Sequence, residues 1–243
     1  MRAFASATGL CVTISLCLVA ASLQAQTAQC LWEDSTTQGA WQSVYGNDGY
    51  NVISPSSQYR NYPSYATVTP IGQTEYTWGT NLSVPNGLQE PGVSPPNNRI
   101  AAQWYSNTSF TLDINLTDGQ VHQVALDCLD YGDNNGRAQT VTVLNPQNGS
   151  ILDTRTEDSF TNGQYLTWNL SGHVQIQLSR LAAYNATVSG LFFDPPGRPS
   201  VLGLSQQSGA VGAAALVAVG HLSSRRVAVD SLKSQCVPGG CLC

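Results

Sequence analysis

Phe110-Thr111-Leu112-Asp113-Ile114-Asn115-Leu116 decides the fold. Apolar and polar residues alternate strictly, which puts Phe110, Leu112, Ile114 and Leu116 on one face of an extended strand. Thr117-Asp118-Gly119-Gln120 follows, with Asp-Gly at the centre of a tight turn. Val121 to Leu129 then forms a second, almost wholly apolar run. The pair reads as a β-hairpin with one side against a core. Similar short runs lie at Tyr65 to Pro70, Ile100 to Tyr105, Ala138 to Leu144, Ser150 to Arg155, Gln164 to Leu170, His173 to Arg180 and Ala186 to Phe193. Each is closed by Gly, Asn, Asp or Pro, and strands at this spacing predict an all-β antiparallel sandwich. No stretch between Trp32 and Phe193 carries a helical period, a phosphate-cradling glycine loop or a βαβ alternation.

Composition agrees. The chain has 243 residues, 42% of them hydrophobic and only 10% charged, with a formal charge of −5. That is too apolar and too weakly charged for a disordered chain. Lys233 is its single lysine, so a charged helical bundle is excluded. Residues 31–194 hold 14 acids against five arginines, which argues against an electrostatic nucleic-acid binder.

The ends differ from the middle. Residues 1–25 carry Arg2, an uncharged apolar run from Gly9 to Leu23 and small residues at Ala21 and Ala25, the pattern of a secretory signal. The run is shorter than the ~20 residues that span a bilayer. Asp194-Pro195-Pro196-Gly197-Arg198-Pro199 breaks any element, and residues 195–243 contain no aromatic side chain. The Ala/Val-rich stretch Val211 to Leu222, followed by Arg225-Arg226, leaves two readings: a poorly ordered tail or a weak membrane or sorting segment. Between the ends, 31–194 is the length of one domain. Loss of the signal would leave five cysteines, an odd number, and Cys128 reads as a buried core residue.

A resemblance rests on residues spread over the same segment. Thr36-Thr37-Gln38-Gly39-x-Trp41, Tyr45-Gly46-x-Asp48-Gly49-Tyr50-Asn51-Val52-Ile53, Tyr62-Pro63-x-Tyr65-Ala66, Arg99-Ile100-Ala101, His122-Gln123-Val124-Ala125-Leu126, Gly136-Arg137 and Ser189-Gly190-Leu191-Phe192-Phe193 together resemble an uncharacterised module of large secreted bacterial proteins. That module is similar in pattern to the galactose-binding-like, carbohydrate-binding-like jelly rolls. The resemblance covers about residues 33–193 and departs from the pattern at Tyr131-Gly132. It implies a secreted, extracellular module that binds a glycan or a cell-surface polymer without catalysis.

Two sets of residues could carry such binding. The first is the loop Asp127, Asp130, Asp133, Asn134 and Asn135, closing on Gly136-Arg137. Its oxygens suit a hard cation, which takes 6–8 oxygen ligands, so Asp130, Asp133 and Asn134 are candidate ligands of a structural Ca²⁺. Asp130, Tyr131, Asp133 and Arg137 are also candidates for direct sugar contact. An ordinary strand connection with Arg137 paired to Asp130 or Asp133 is the plainer alternative. The second set is aromatic: Tyr45, Tyr50, Tyr59, Tyr62 and Tyr131 lie near Gly, Asn or Pro and could offer ring faces to a sugar, with Tyr45 and Tyr50 the leading pair beside Tyr131. Trp41 and Tyr45, spaced i, i+4, could instead plug one end of the sandwich. Trp104 and Trp168 sit in strand-like runs and read as core.

Catalysis has little support. There is no G-x-S-x-G, and the acids form no recognisable pair. His122 and His173 follow turns at strand starts, where a paired imidazole is ordinary. Three readings remain: a sugar-binding module, a structural or adhesive spacer, and a glycoside hydrolase.

Overall fold

A computed structural model describes residues 25–132 and 136–197. The signal pattern at 1–25 (save Ala25), the tail beyond Gly197, and Asp133, Asn134 and Asn135 lie outside the described residues. Among the described residues, no helix is long and apolar enough to cross a membrane.

The described residues form an antiparallel β-sandwich. The first sheet has six strands in the order β1 (Thr27–Asp34), β12 (Gln164–Ser171), β9 (Val121–Cys128), β15 (Gly190–Asp194), β2 (Gly49–Val52) and β3 (Arg60–Asn61). The second has five, in the order β11 (Ile151–Glu157), β10 (Ala138–Leu144), β13 (His173–Ala182), β8 (Ser109–Leu116) and β4 (Ala66–Ile71). A smaller sheet runs β14 (Ala186–Val188), β7 (Arg99–Ser106), β5 (Thr74–Leu82), with β6 (Leu88–Gln89) also on β7. Strand β1 starts four residues before the module limit expected from sequence.

The hairpin reading holds. Strand β8 alternates as expected, with Phe110, Leu112, Ile114 and Leu116 buried and the residues between them half-buried. Those four face the core with Val141, Val143, Val174, Ile176 and Leu178 from neighbouring strands. In the six-stranded sheet, register aligns Leu166, Leu126 and Leu191 across three strands. Trp168 and Trp104 are buried, as expected of core residues. Cys128 is likewise buried and free.

Strands β9, β12 and β15 are buried on both faces, so a second cover is needed. Residues 35–48 supply it. The backbone N–H of Tyr45 donates to Trp41 O at 2.8 Å, closing one turn that sets both rings on the same side. Tyr45 stacks on Tyr165 at 4.4 Å, and Trp41 lies 5.0 Å from Phe192. The pair therefore covers the outer face of the sheet rather than plugging an end. Asp34 anchors this loop. Burial alone would raise its carboxyl, but hydrogen bonds from the Thr37 and Thr36 hydroxyls and amides outweigh that and hold it below the usual range. Gly39 is required by close approach: a Cβ there would lie 1.7 Å from Gly87 O.

Two carboxyls are entombed in the sandwich. Glu157 accepts a hydrogen bond from Gln139 Nε2 at 2.7 Å and is pushed up to about 7, chiefly by desolvation. Asp127 is also raised, by burial and then by the nearby charges of Glu157 and Asp34. Each binds its proton more tightly when folded than when unfolded. Their stabilisation is therefore complete below the ordinary carboxylate range and is lost as pH rises, for Glu157 through about 7. Glu157→Gln should flatten this slope. Between about pH 5 and 8 the variant is expected to lose less unfolding free energy than wild type, by on the order of 3 kcal/mol, measured by urea denaturation at each pH.

Candidate functional site

Four connections meet at one rim of the sandwich: β5 to β6, β9 to β10, β11 to β12 and β13 to β14. Asp130 follows β9 and is almost wholly buried, its backbone N–H donating to Phe160 O at 3.0 Å. Its Oδ2 accepts from the backbone N–H groups of Gly136 and Arg137 at 2.8 and 3.0 Å. Its Oδ1 pairs with the Arg137 guanidinium. Arg137, 7% exposed, also donates from Nε to Asn185 Oδ1 at 3.0 Å. The pairing expected as the plainer alternative is thus present, but it lies inside the rim rather than on the surface.

Aromatic rings surround this pair. Arg137 Cζ lies 5.5 Å from the ring centroids of both Trp78 and Tyr184, within cation–π range. Trp78 in turn contacts Tyr131 at 5.6 Å and Tyr76 at 5.9 Å. Trp78 stands where the β5–β7 register shifts between Thr77 and Gly79, a bulge that re-aims a side chain. Tyr76 and Tyr184 are 52% and 53% exposed. Beside Tyr131 opens a groove of about 390 Å³ lined by Val84, Asn86, Asp130, Tyr131, Gly132, Thr161 and Asn162. Asn86 Nδ2 donates to Thr161 O at 3.1 Å and ties two of its walls. Gly132, also lining the groove, has φ +113°, a left-handed conformation that favours glycine.

The rim therefore unites Asp130, Tyr131 and Arg137 from the expected site. Tyr45 and Tyr50 do not join it. Tyr45 is 4% exposed, donates its hydroxyl to Asp34 Oδ2 at 2.9 Å and covers the sheet, where burial raises its hydroxyl. Tyr50 packs at 4.9 Å on Trp41 in the same layer. Asp133 and Asn134 lie outside the described residues. Each Asp130 oxygen accepts an N–H donor, and the Arg137 guanidinium lies beside it. Among the described residues no cluster of three His, Cys, Asp or Glu could hold a metal.

The sequence does not mark Tyr76, Trp78, Tyr184 or Asn185 as residues of this site. The Tyr76-x-Trp78 spacing in an otherwise polar run was the available signal, since alternate residues of a strand share a face. His122 and His173 lie away from this rim. His122 Nε2 sits 2.9 Å from Asp118 Oδ2 with its ring stacked 3.7 Å from Tyr65, and His173 Nε2 lies 2.8 Å from Asp113 Oδ1. Both are paired imidazoles, as expected.

No family profile and no curated protein sequence matches the chain. Among solved structures, it is similar to an exo-β-1,3-galactanase from Phanerochaete chrysosporium with β-1,3-galactotriose (21% identity, TM-score 0.28, 58% of this chain and 32% of that one). It is also similar to the family 32 carbohydrate-binding module of C. perfringens NanJ with galactose (14%, TM-score 0.28, 53% and 100%). A third is TmCBM61 with β-1,4-galactotriose (12%, TM-score 0.26, 54% and 85%). The chain spans about a third of the galactanase. These overlaps concern strand arrangement and transfer no residue role.

Asp130→Ala strands a buried guanidinium and should cost roughly 3–5 kcal/mol in chemical denaturation. Asp130→Ala with Arg137→Met removes both charges, and the double variant is expected to be more stable than Asp130→Ala alone.

Proposed function

We propose that this chain is a non-catalytic carbohydrate-binding module that takes its glycan at the rim built around Asp130 and Arg137. The observation that carries this reading is the set of partly exposed rings, Tyr76, Trp78, Tyr131 and Tyr184, held beside a polar groove by a buried ion pair. Ring faces suit the C–H face of a sugar, and Asn86, Thr161 and Asn162 offer hydrogen bonds to its hydroxyls. A spacer gains nothing from fixing aromatic side chains in water, whereas a binder avoids the entropy cost of ordering them on contact. The groove is within the size range of small-ligand sites.

Binding rather than hydrolysis is favoured by the state of the acids. Asp130, the carboxylate lining the groove among the described residues, is committed to Arg137. Asp127 and Glu157 are buried away from solvent. The signal pattern at 1–25 supports an extracellular module whose partner is a glycan or a cell-surface polymer, with membrane contact only if the tail acts as an anchor. No nucleic acid is expected, since the module is acidic.

The test is a glycan array with the full chain, with and without EDTA. Binding to a restricted set of neutral glycans is expected, unchanged by EDTA and weakened at least tenfold by Tyr131→Ala at unchanged melting temperature. A blank array, or wild-type binding by Tyr131→Ala, overturns the reading.

A further inference from the structure

We propose that the rim holds a chain of linked neutral sugars, with one subsite in the groove at Tyr131 and a second on the ridge formed by Tyr76, Trp78 and Tyr184. This rests on the carbohydrate-binding reading above and specifies its ligand as an oligosaccharide rather than a single terminal sugar.

The groove alone would suffice for one sugar ring, and Tyr131 would be its aromatic wall. The rings continue past it. Trp78 contacts Tyr131 at 5.6 Å, and Tyr76 contacts Trp78 at 5.9 Å. The rings are inclined to one another, by 46° between Trp78 and Tyr131 and by 85° between Tyr76 and Trp78, so a sugar chain meets them at different angles rather than on one plane. Tyr131 belongs to both parts: it lines the groove and touches the ridge. A chain leaving the groove on that side meets Trp78 next.

The ridge is ordered from beneath. The Arg137 guanidinium lies 5.5 Å from both Trp78 and Tyr184, and is itself anchored by Asp130 and Asn185. Two of the ridge tyrosines are nevertheless more than half-exposed. Burial thus does not account for their position. Rings that are oriented but left open suit a ligand with one apolar and one hydroxylated side. The charge of Arg137 is met by Asp130, so the ridge presents ring faces rather than a net positive charge. This selects neutral sugars over sulfated or carboxylated ones.

Calorimetric titration of the full chain with β-1,4-linked galacto- and gluco-oligosaccharides of one to six residues tests the proposal, alongside the array. Affinity for the preferred series is expected to rise at least tenfold from one to three residues and then level off. Tyr76→Ala and Tyr184→Ala change exposed side chains. They should abolish that rise, bringing the three-residue and one-residue affinities to within about twofold of each other, at unchanged melting temperature. Tyr131→Ala should weaken every length. Equal affinity at all lengths, or a rise that survives both ridge variants, overturns the second subsite and leaves the groove reading standing. Loss of self-association in the ridge variants with unchanged titrations overturns it too and makes the ridge a protein contact. No binding at any length, with a blank array, removes the carbohydrate reading beneath it.

Discussion

The six-stranded sheet must be buried on both faces, and much of the molecule follows from that constraint. Strands β9, β12 and β15 carry apolar residues toward both sides, so an uncovered outer face would expose Tyr165 and Phe192. The five-stranded sheet covers the inner face. The outer face is covered by a loop, which has no regular ladder to satisfy its backbone. Asp34 at the end of β1 solves this at one end of the loop by accepting four hydrogen bonds from Thr36 and Thr37. Asp194 at the end of β15 solves it at the other by accepting from the backbone N–H groups of Gly46 and Asn47 at 2.8 and 2.9 Å. Carboxylates at strand ends thus replace the missing ladder.

This arrangement separates the aromatic residues into two groups with different roles. Trp41, Tyr45 and Tyr50 are spent on cover, and their rings gain transfer free energy by leaving water. The rings at the rim do not. Their order comes from the guanidinium of Arg137, which is fixed by a carboxylate, a side-chain amide and two ring faces. Desolvating that ion pair is costly, and such a pair is weak evidence for stability. It does specify geometry, because the guanidinium reaches the loops before β10 and β14 and strand β5 at once. Arg137 therefore ties Trp78, Tyr184 and Asn185 together.

Much of the sandwich was legible in the sequence, because the strands from β7 onward obey simple patterns. Phe110 to Leu116 alternates, and the hairpin turn carries Asp118-Gly119. Strand β5 was not legible: both its faces are partly open, so Thr74 to Leu82 has no apolar alternation to detect. Strand β1 was missed for a different reason, since it follows directly on the apolar signal-like segment and mixes polar with apolar residues. The site was half legible. Asp130, Tyr131 and Arg137 are close in sequence and could be grouped by composition. Trp78, Tyr184 and Asn185 come from distant segments, and only folding brings them together. Tyr45 and Tyr50 do have the glycine-rich neighbours of a loop residue. Whether such a loop faces water or folds back on a sheet is decided by tertiary packing, which local sequence does not encode.

The acids show the same dependence on placement. A hydrolytic site needs two carboxyls facing one cleft, with one kept protonated near neutral pH. Glu157 has the raised affinity for its proton that such an acid requires. Desolvation is the cause, and it is the same desolvation that denies it a substrate: its partners are Gln139 and the buried region around Cys128, within the sandwich. Gln139 meanwhile accepts from the Thr187 backbone N–H at 2.7 Å and donates to Thr187 O at 3.1 Å, stitching β10 to β14 as a backbone strand would. A perturbed carboxyl here is a consequence of completing a ladder with side chains. The functional signal lies instead in groups left open at a cost, which directs attention to the rim aromatics and away from the buried acids.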